Sequence, residues 1–198
     1  LGSRDVLCKL VLLDDREQLT AQESGYAQLR LTDPIAVKRG DHFVVRFYSP
    51  IETVGGGVVL GGKLLTGYTG AAAEPGHMVI LDTPDAPRCT CGRPGCLESL
   101  ASATALIRMT KEAMAAHPES SLHGLAVQSG GVNGRTAFDA AAQGDAAGKA
   151  VVEQYIHYLA VGVANMINIF FPEVIGLSGG VANQGENLLA PLRAAVGP

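Results

Sequence analysis

Cys89, Cys91 and Cys96 crowd into eight residues as C-x-C-x4-C, and His77 lies twelve residues before the first of them. One imidazole and three thiolates make a closed four-ligand set that suits structural zinc in a tetrahedral site. Gly92, Pro94 and Gly95 let the loop turn back so that three sulfurs converge on one point. A disulfide framework would spread its cysteines more evenly, so the clustering favours a metal. The spacing also fits inert loop thiols beside an unrelated histidine. Two carboxylates flank the cluster: Glu74 stands three residues before His77, and Glu98 two after Cys96. If zinc fixes the loop, both are held near the His77 ring, which can bind metal through one nitrogen and offer the other to a ligand such as a sugar hydroxyl. Spacing alone favours reading them as two solvated acids. Cys8 stands apart in an apolar run and reads as a core thiol.

The chain changes character near residue 60. Before it, Val6–Leu13 is an apolar run broken by Lys9, residues 27–32 alternate between apolar and polar, and His42–Tyr48 follows a turn signal at Gly40-Asp41. Short strands at this spacing suggest a small barrel or sandwich. From about Gly61 the pattern becomes α/β. His77–Leu81 and Val174–Leu177 read as short strands, and Ala101–Ala116 and Thr136–Gln143 as helices. Asp145 is placed to cap a long helix whose apolar stripe runs through Val152, Tyr155, Ile156, Leu159, Val163, Met166, Ile167 and Phe170. Phe171-Pro172 ends it, and Ser178-Gly179-Gly180 turns toward a last helix, Glu186–Val196.

Composition removes some function classes. With 198 residues, 47% hydrophobic and 17% charged, the chain can offset its ordering entropy and fold. A net charge of −4 supplies no overall basic field for nucleic acid. The absence of Trp and an aromatic share of 5% weaken base-stacking readings. Tyr158–Phe171, interrupted by Asn165 and Asn168, falls short of the roughly 18 apolar residues of a membrane span. With no N-terminal signal pattern visible, a cytoplasmic location and no membrane partner are expected.

Three stretches then carry a resemblance: 62–67 (GKLLTG), 74–78 (EPGHM) and 89–98 (CTCGRPGCLE). With Ala101–Ala105, Ala141–Asp145 and Asn165–Val181, they are similar to the ROK family of repressors and sugar kinases, and most to its bacterial glucokinases. The resemblance covers about Val58 to the C-terminus. It implies zinc held by His77, Cys89, Cys91 and Cys96, and a sugar contacted by Glu74, His77 and Glu98. It also places Gly179 and Gly180 on the nucleotide side. Position 75 is Pro where the family often has an apolar residue.

The first part resembles something else. Residues 11–14 (VLLD), 23–31 (ESGYAQLRL), 40–46 (GDHFVVR) and 48–57 (YSPIETVGGG) are similar to a β-barrel domain of the selenocysteine-specific elongation factor. Both families carry a Gly-rich strand near Thr53–Leu60, so the two resemblances meet there as in a chimera.

The expected fold class is therefore α+β and multidomain. A small elongation-factor-like β-barrel over 1–57 precedes a truncated α/β, actin-like (ribonuclease H-like) ROK lobe with a zinc loop over 58–198. A D-x-G-G-T-like phosphate loop and the family's catalytic Asp have no match in the sequence, so no catalytic residue is assigned. The expected function is a zinc-stabilised, sugar-binding lobe without full kinase activity. One alternative is an ATP-dependent hexose (glucose) kinase, using ATP and Mg²⁺ and completed by another chain. A second is a translation-factor-like RNA-binding module, against which the near-neutral barrel argues. An exposed edge at Gly55–Leu65 suggests homo-oligomers.

Overall fold

The computed structural model describes residues 74–177 and 179–197, with the segments 8–12, 27–31, 45–46, 53–55, 58–61, 63–65 and 67–68. The chain divides into two compact units, Leu1–Asp41 and His42–Pro198. In the first, β1 (Cys8–Leu12) pairs antiparallel with β2 (Ala27–Leu31), in a register that sets Leu10 opposite Leu29. The apolar–polar alternation of β2 is the period of an extended strand. The β-barrel expected over residues 1–57 lies largely outside the described residues, as does the reading of Cys8 as a core thiol.

In the second unit, β3 (Val45–Arg46) pairs with β4 (Thr53–Gly55), and β5 (Val59–Leu60) with β6 (Lys63–Leu64), both antiparallel. A 3-10 turn at Pro75–His77 leads into the cysteine loop. Helices follow: α1 (Leu97–Ala101), α2 (Ala103–Ala116), α3 (Leu122–Gln128), α4 (Thr136–Ala142), α5 (Ala146–Phe170) and α6 (Glu186–Val196). The helix expected at Ala101–Ala116 begins two residues later, behind a separate short one. Ser102 is extended, and its hydroxyl accepts from the Ala105 N–H at 3.1 Å. That local bond satisfies an orphan donor at the start of α2 and breaks the helix that would otherwise run through.

α5 is the spine of the lobe. Asp145 caps it as expected, accepting the Gly148 N–H at 2.8 Å. The same carboxylate also accepts from the Ser120 and Ser121 hydroxyls and from the Ser121 N–H, which ties the start of α3 to the start of α5. These bonds, that from Gly148 first, hold the Asp145 pKa down at about 2. At the other end Phe171 takes a left-handed conformation (φ 42°), and Pro172 follows to stop the helix. The apolar stripe buries Tyr155, Ile156 and Val163. Leu106 and Met109 of α2, Phe138 of α4 and Leu188 and Leu192 of α6 join α5 residues in one core. Each such side chain contributes roughly 1.5–3 kcal/mol. Among the described residues no helix is long and apolar enough to cross a membrane.

Two expected strands do not form. Residues 77–81 carry only an isolated bridge, Val79 to Cys96, because their backbone is spent on the cysteine loop: Ile80 N–H donates to the Gly95 carbonyl at 2.9 Å. Residues 174–177 are irregular, with Val174 exposed. A short apolar run extends only when a neighbouring strand takes up its N–H and C=O groups, and none among the described residues does so here.

Candidate metal centre

The cysteine loop is drawn into a knot by its own backbone. Cys89 N–H donates to the Arg93 carbonyl at 2.8 Å, and Gly92 N–H returns to the Cys89 carbonyl at 2.9 Å. Gly95 N–H donates to the Pro87 carbonyl at 2.9 Å, and Leu97 N–H to that of Met78 at 2.8 Å. Gly95 sits at φ 72°, and a Cβ there would run into the Leu81 carbonyl oxygen. Glycine is therefore required twice, for its torsion and for the close approach. The knot delivers Cys89 and Cys96 as buried groups, while Cys91 stays exposed on its rim.

These turns bring together all four residues expected to bind metal. One donor atom from each of His77, Cys89, Cys91 and Cys96 lies within 4.8 Å of the other three. His77 Nδ1 is 3.5 Å from Cys89 Sγ, and Cys91 Sγ is 3.6 Å from Cys96 Sγ. Around a tetrahedral zinc, with Zn–S near 2.3 Å and Zn–N near 2.0–2.1 Å, sulfur–sulfur edges are about 3.8 Å and sulfur–nitrogen edges about 3.5 Å. The donor set and these two edges fit that ion. The three thiols are free and not paired as disulfides.

The protein environment alone treats the thiols unequally. Burial, with hydrogen bonds from Cys91 and Cys89, pushes the Cys96 thiol up to about 12. The hydrogen bond from the Arg93 backbone pulls Cys91 below its ordinary value. A divalent cation would ionise all of them and stabilise the fold by the binding it gains.

Of the flanking acids, Glu98 is drawn into the cluster. Its Oε2 lies 3.4 Å from His77 Nδ1 and 3.7 Å from Cys89 Sγ. As a thiol, Cys89 donates to that carboxylate oxygen. Nδ1 is thus the His77 nitrogen that faces the Cys89 sulfur. Glu74 is exposed; it precedes the turn at Pro75–His77, and its backbone carbonyl accepts from the His77 N–H at 3.1 Å. Gly179 and Gly180 lie apart from the loop, where a 3-10 turn (Gly180–Gln184) leads into α6.

Sequence reasoning missed the braces behind the loop. Ser99 Oγ donates to the Cys96 carbonyl at 2.8 Å and to that of Pro87 at 3.2 Å. Asn165 of α5 reaches the Met78 sulfur at 3.4 Å across 87 residues of chain. At Gly162 a Cβ would overlap the Leu97 side chain, so the missing methyl lets α1 seat on α5. A serine three residues after Cys96 was a visible signal for the first brace; the pairings to α5 left none in the linear pattern.

Most of the second unit is similar to known proteins. The model for the ROK family matches residues 45–198. A glucokinase of Thermotoga maritima is 42% identical over 143 residues, covering 72% of this chain and 44% of the relative. The crystal structure of a ROK family glucokinase from Streptomyces griseus, in complex with glucose and AMPPNP, superposes with a TM-score of 0.63 at 37% identity. It covers 71% of this chain and 46% of that one. A ROK family transcriptional regulator, a homolog of the E. coli MLC protein, matches at 34% identity and a TM-score of 0.56, covering 72% of this chain and 34% of that one. The chain thus spans less than half the length of these relatives.

Proposed function

The chain belongs to the ROK family, with the actin-like sugar-kinase fold of that family over the matched part, and from that premise we propose that residues 58–198 form a zinc-braced, hexose-binding lobe of glucokinase type. The observation that carries the reading is the convergence of His77, Cys89, Cys91 and Cys96 with the Glu98 carboxylate against the same imidazole. His77, Cys89, Cys91 and Cys96 would hold the ion, which supplies loop rigidity and thiolate neutralisation. His77 Nδ1 then faces the metal and its Nε2 faces the sugar, with Glu98 and Glu74 accepting hydrogen bonds from sugar hydroxyls. Charge-assisted bonds of this kind are short and directional, and a hydroxyl-rich ligand is recognised by several of them at once. Gly179 and Gly180 are proposed to face a nucleotide.

Phosphoryl transfer also needs a phosphate cradle, a magnesium ion and a base on the attacking hydroxyl. Residues 58–198 offer no D-x-G-G-T-like cradle, so binding is proposed for these residues and ATP-dependent transfer for an assembly that supplies the rest.

The test is zinc content by elemental analysis together with glucose titration by calorimetry, before and after chelation. About one zinc per chain, with glucose heat that vanishes on chelation, is expected. A chain that binds glucose equally well without metal overturns the reading. The likeness to a transcriptional regulator favours a second reading, in which the pocket senses a sugar without phosphorylating it. ADP formation with glucose would exclude that one.

A further inference from the structure

The four donors of the metal cluster are not equally protected. Cys96 is wholly buried, with 0% exposure, and Cys89 is 7% exposed, whereas Cys91 stands on the solvent side of the loop. Within the cluster, Cys91 Sγ and Cys96 Sγ lie in contact at 3.6 Å. Cys89 Sγ lies 3.5 Å from His77 Nδ1 and 3.7 Å from Glu98 Oε2. An oxidant arriving from water meets Cys91 first, and the sulfur best placed to resolve its oxidised form belongs to Cys96. A disulfide needs about 2.05 Å between sulfurs, so the pair must close by roughly 1.5 Å within a short loop.

We infer that Cys91 and Cys96 form a peroxide-sensitive dithiol, with Cys91 the attacking and Cys96 the resolving thiolate, whose oxidation to a disulfide ejects the metal. The inference rests on the zinc reading above. In the first step the Cys91 thiolate attacks hydrogen peroxide: the O–O bond breaks, a sulfenic acid forms and hydroxide leaves. In the second the Cys96 thiolate attacks the Cys91 sulfur, the S–S bond forms and a second hydroxide leaves. Two thiolates have lost two electrons and one peroxide has become two hydroxides. The remaining His77 and Cys89 are too few to retain a structural zinc, which needs four ligands. Losing the ion frees the backbone between His77 and Glu98, so the same oxidation withdraws the proposed sugar contacts. A reductant with added zinc restores both.

The experiment uses the full chain, purified with zinc and treated with hydrogen peroxide. Released zinc is read with a chromophoric chelator, and the product by intact mass and peptide mapping. The expected result is release of about one zinc per chain with a mass loss of about 2 Da, the two hydrogens of a disulfide. The map should join Cys91 to Cys96, and dithiothreitol with zinc should reverse the change. A link from Cys89 to either other cysteine, or sulfinic acid at Cys91 with no disulfide, overturns the assignment. So does peroxide that leaves zinc and thiols intact. Cys91→His keeps a fourth ligand and removes the attacking sulfur; its zinc release should be at least about tenfold slower than that of the unaltered chain. Equal rates would overturn the inference. A chain purified without zinc would refute the zinc reading alone, because mapping the peroxide-treated thiols would still decide which sulfurs pair.

Discussion

Glu98 Oε2 lies 3.4 Å from Nδ1 of His77, the nitrogen that also faces the Cys89 sulfur at 3.5 Å. The carboxylate opens α1 and the imidazole closes the turn before the cysteine loop. Glu98 faces the ring when Nδ1 carries a proton, and a metal on Nδ1 would free the carboxylate for other donors. Glu98 therefore has two claims on it, the ring and any hydroxylated ligand.

Replacing Glu98 by Gln should leave zinc bound and weaken glucose binding by about 10- to 100-fold, the cost of one charge-assisted hydrogen bond. Calorimetry against zinc content on the same sample separates the two effects. Loss of zinc together with glucose would show that the acid belongs to the metal rather than to the ligand.

Replacing Cys96 by Ser removes a donor at a position with 0% exposure. The variant should lose zinc, and its melting temperature should fall by at least about 5 °C, since structural zinc binding contributes folding free energy. Chelation of the unaltered chain should produce a similar fall, followed by thermal denaturation with and without a chelator.

Two glycines of the loop should respond differently to alanine. Gly92, at φ 89°, has open space where a Cβ would go, so its substitution carries torsional strain of about 1 kcal/mol. Gly95 adds the clash with the Leu81 carbonyl, so Gly95→Ala should cost at least about 2 kcal/mol and weaken zinc binding as well. Urea titrations of both variants would compare them; equal losses would mean that the close approach at Gly95 carries no weight.

Asp145 gives a pH signature. Its folded pKa of about 2 lies below the ordinary 3.8. The stability it contributes is therefore fully present above pH 3.8 and is lost as pH falls toward 2. Asp145→Ala should cost about 1–2 kcal/mol at neutral pH, the worth of a helix cap. The gap between variant and parent should close on acidification below pH 3.8, read from urea midpoints across that range.

Much of the lobe was legible because its signals are local. The cap at Asp145, the stop at Phe171-Pro172 and the stripe of α5 are written in neighbouring residues, and helix bonds run only four residues back. The Cys-x-Cys spacing with Gly92 and Gly95 belongs to the same class, since a loop that closes on itself needs little beyond its own turn chemistry. The strands expected at 77–81 and 174–177 do not form for the converse reason. Whether such a run extends depends on a neighbour for its N–H and C=O groups, and the sequence does not name that neighbour.

By itself, then, the sequence determined the candidate donor set, the turns that gather it and the long helix behind it, because each depends on bonds between near neighbours. Tertiary structure alone decided which imidazole nitrogen faces the sulfurs, which sulfur stays exposed, and that Gly162 and Asn165 of α5 support the loop from behind. Those outcomes follow from how distant segments pack, where each atom's neighbours are set by chain crossings that no spacing along the chain records.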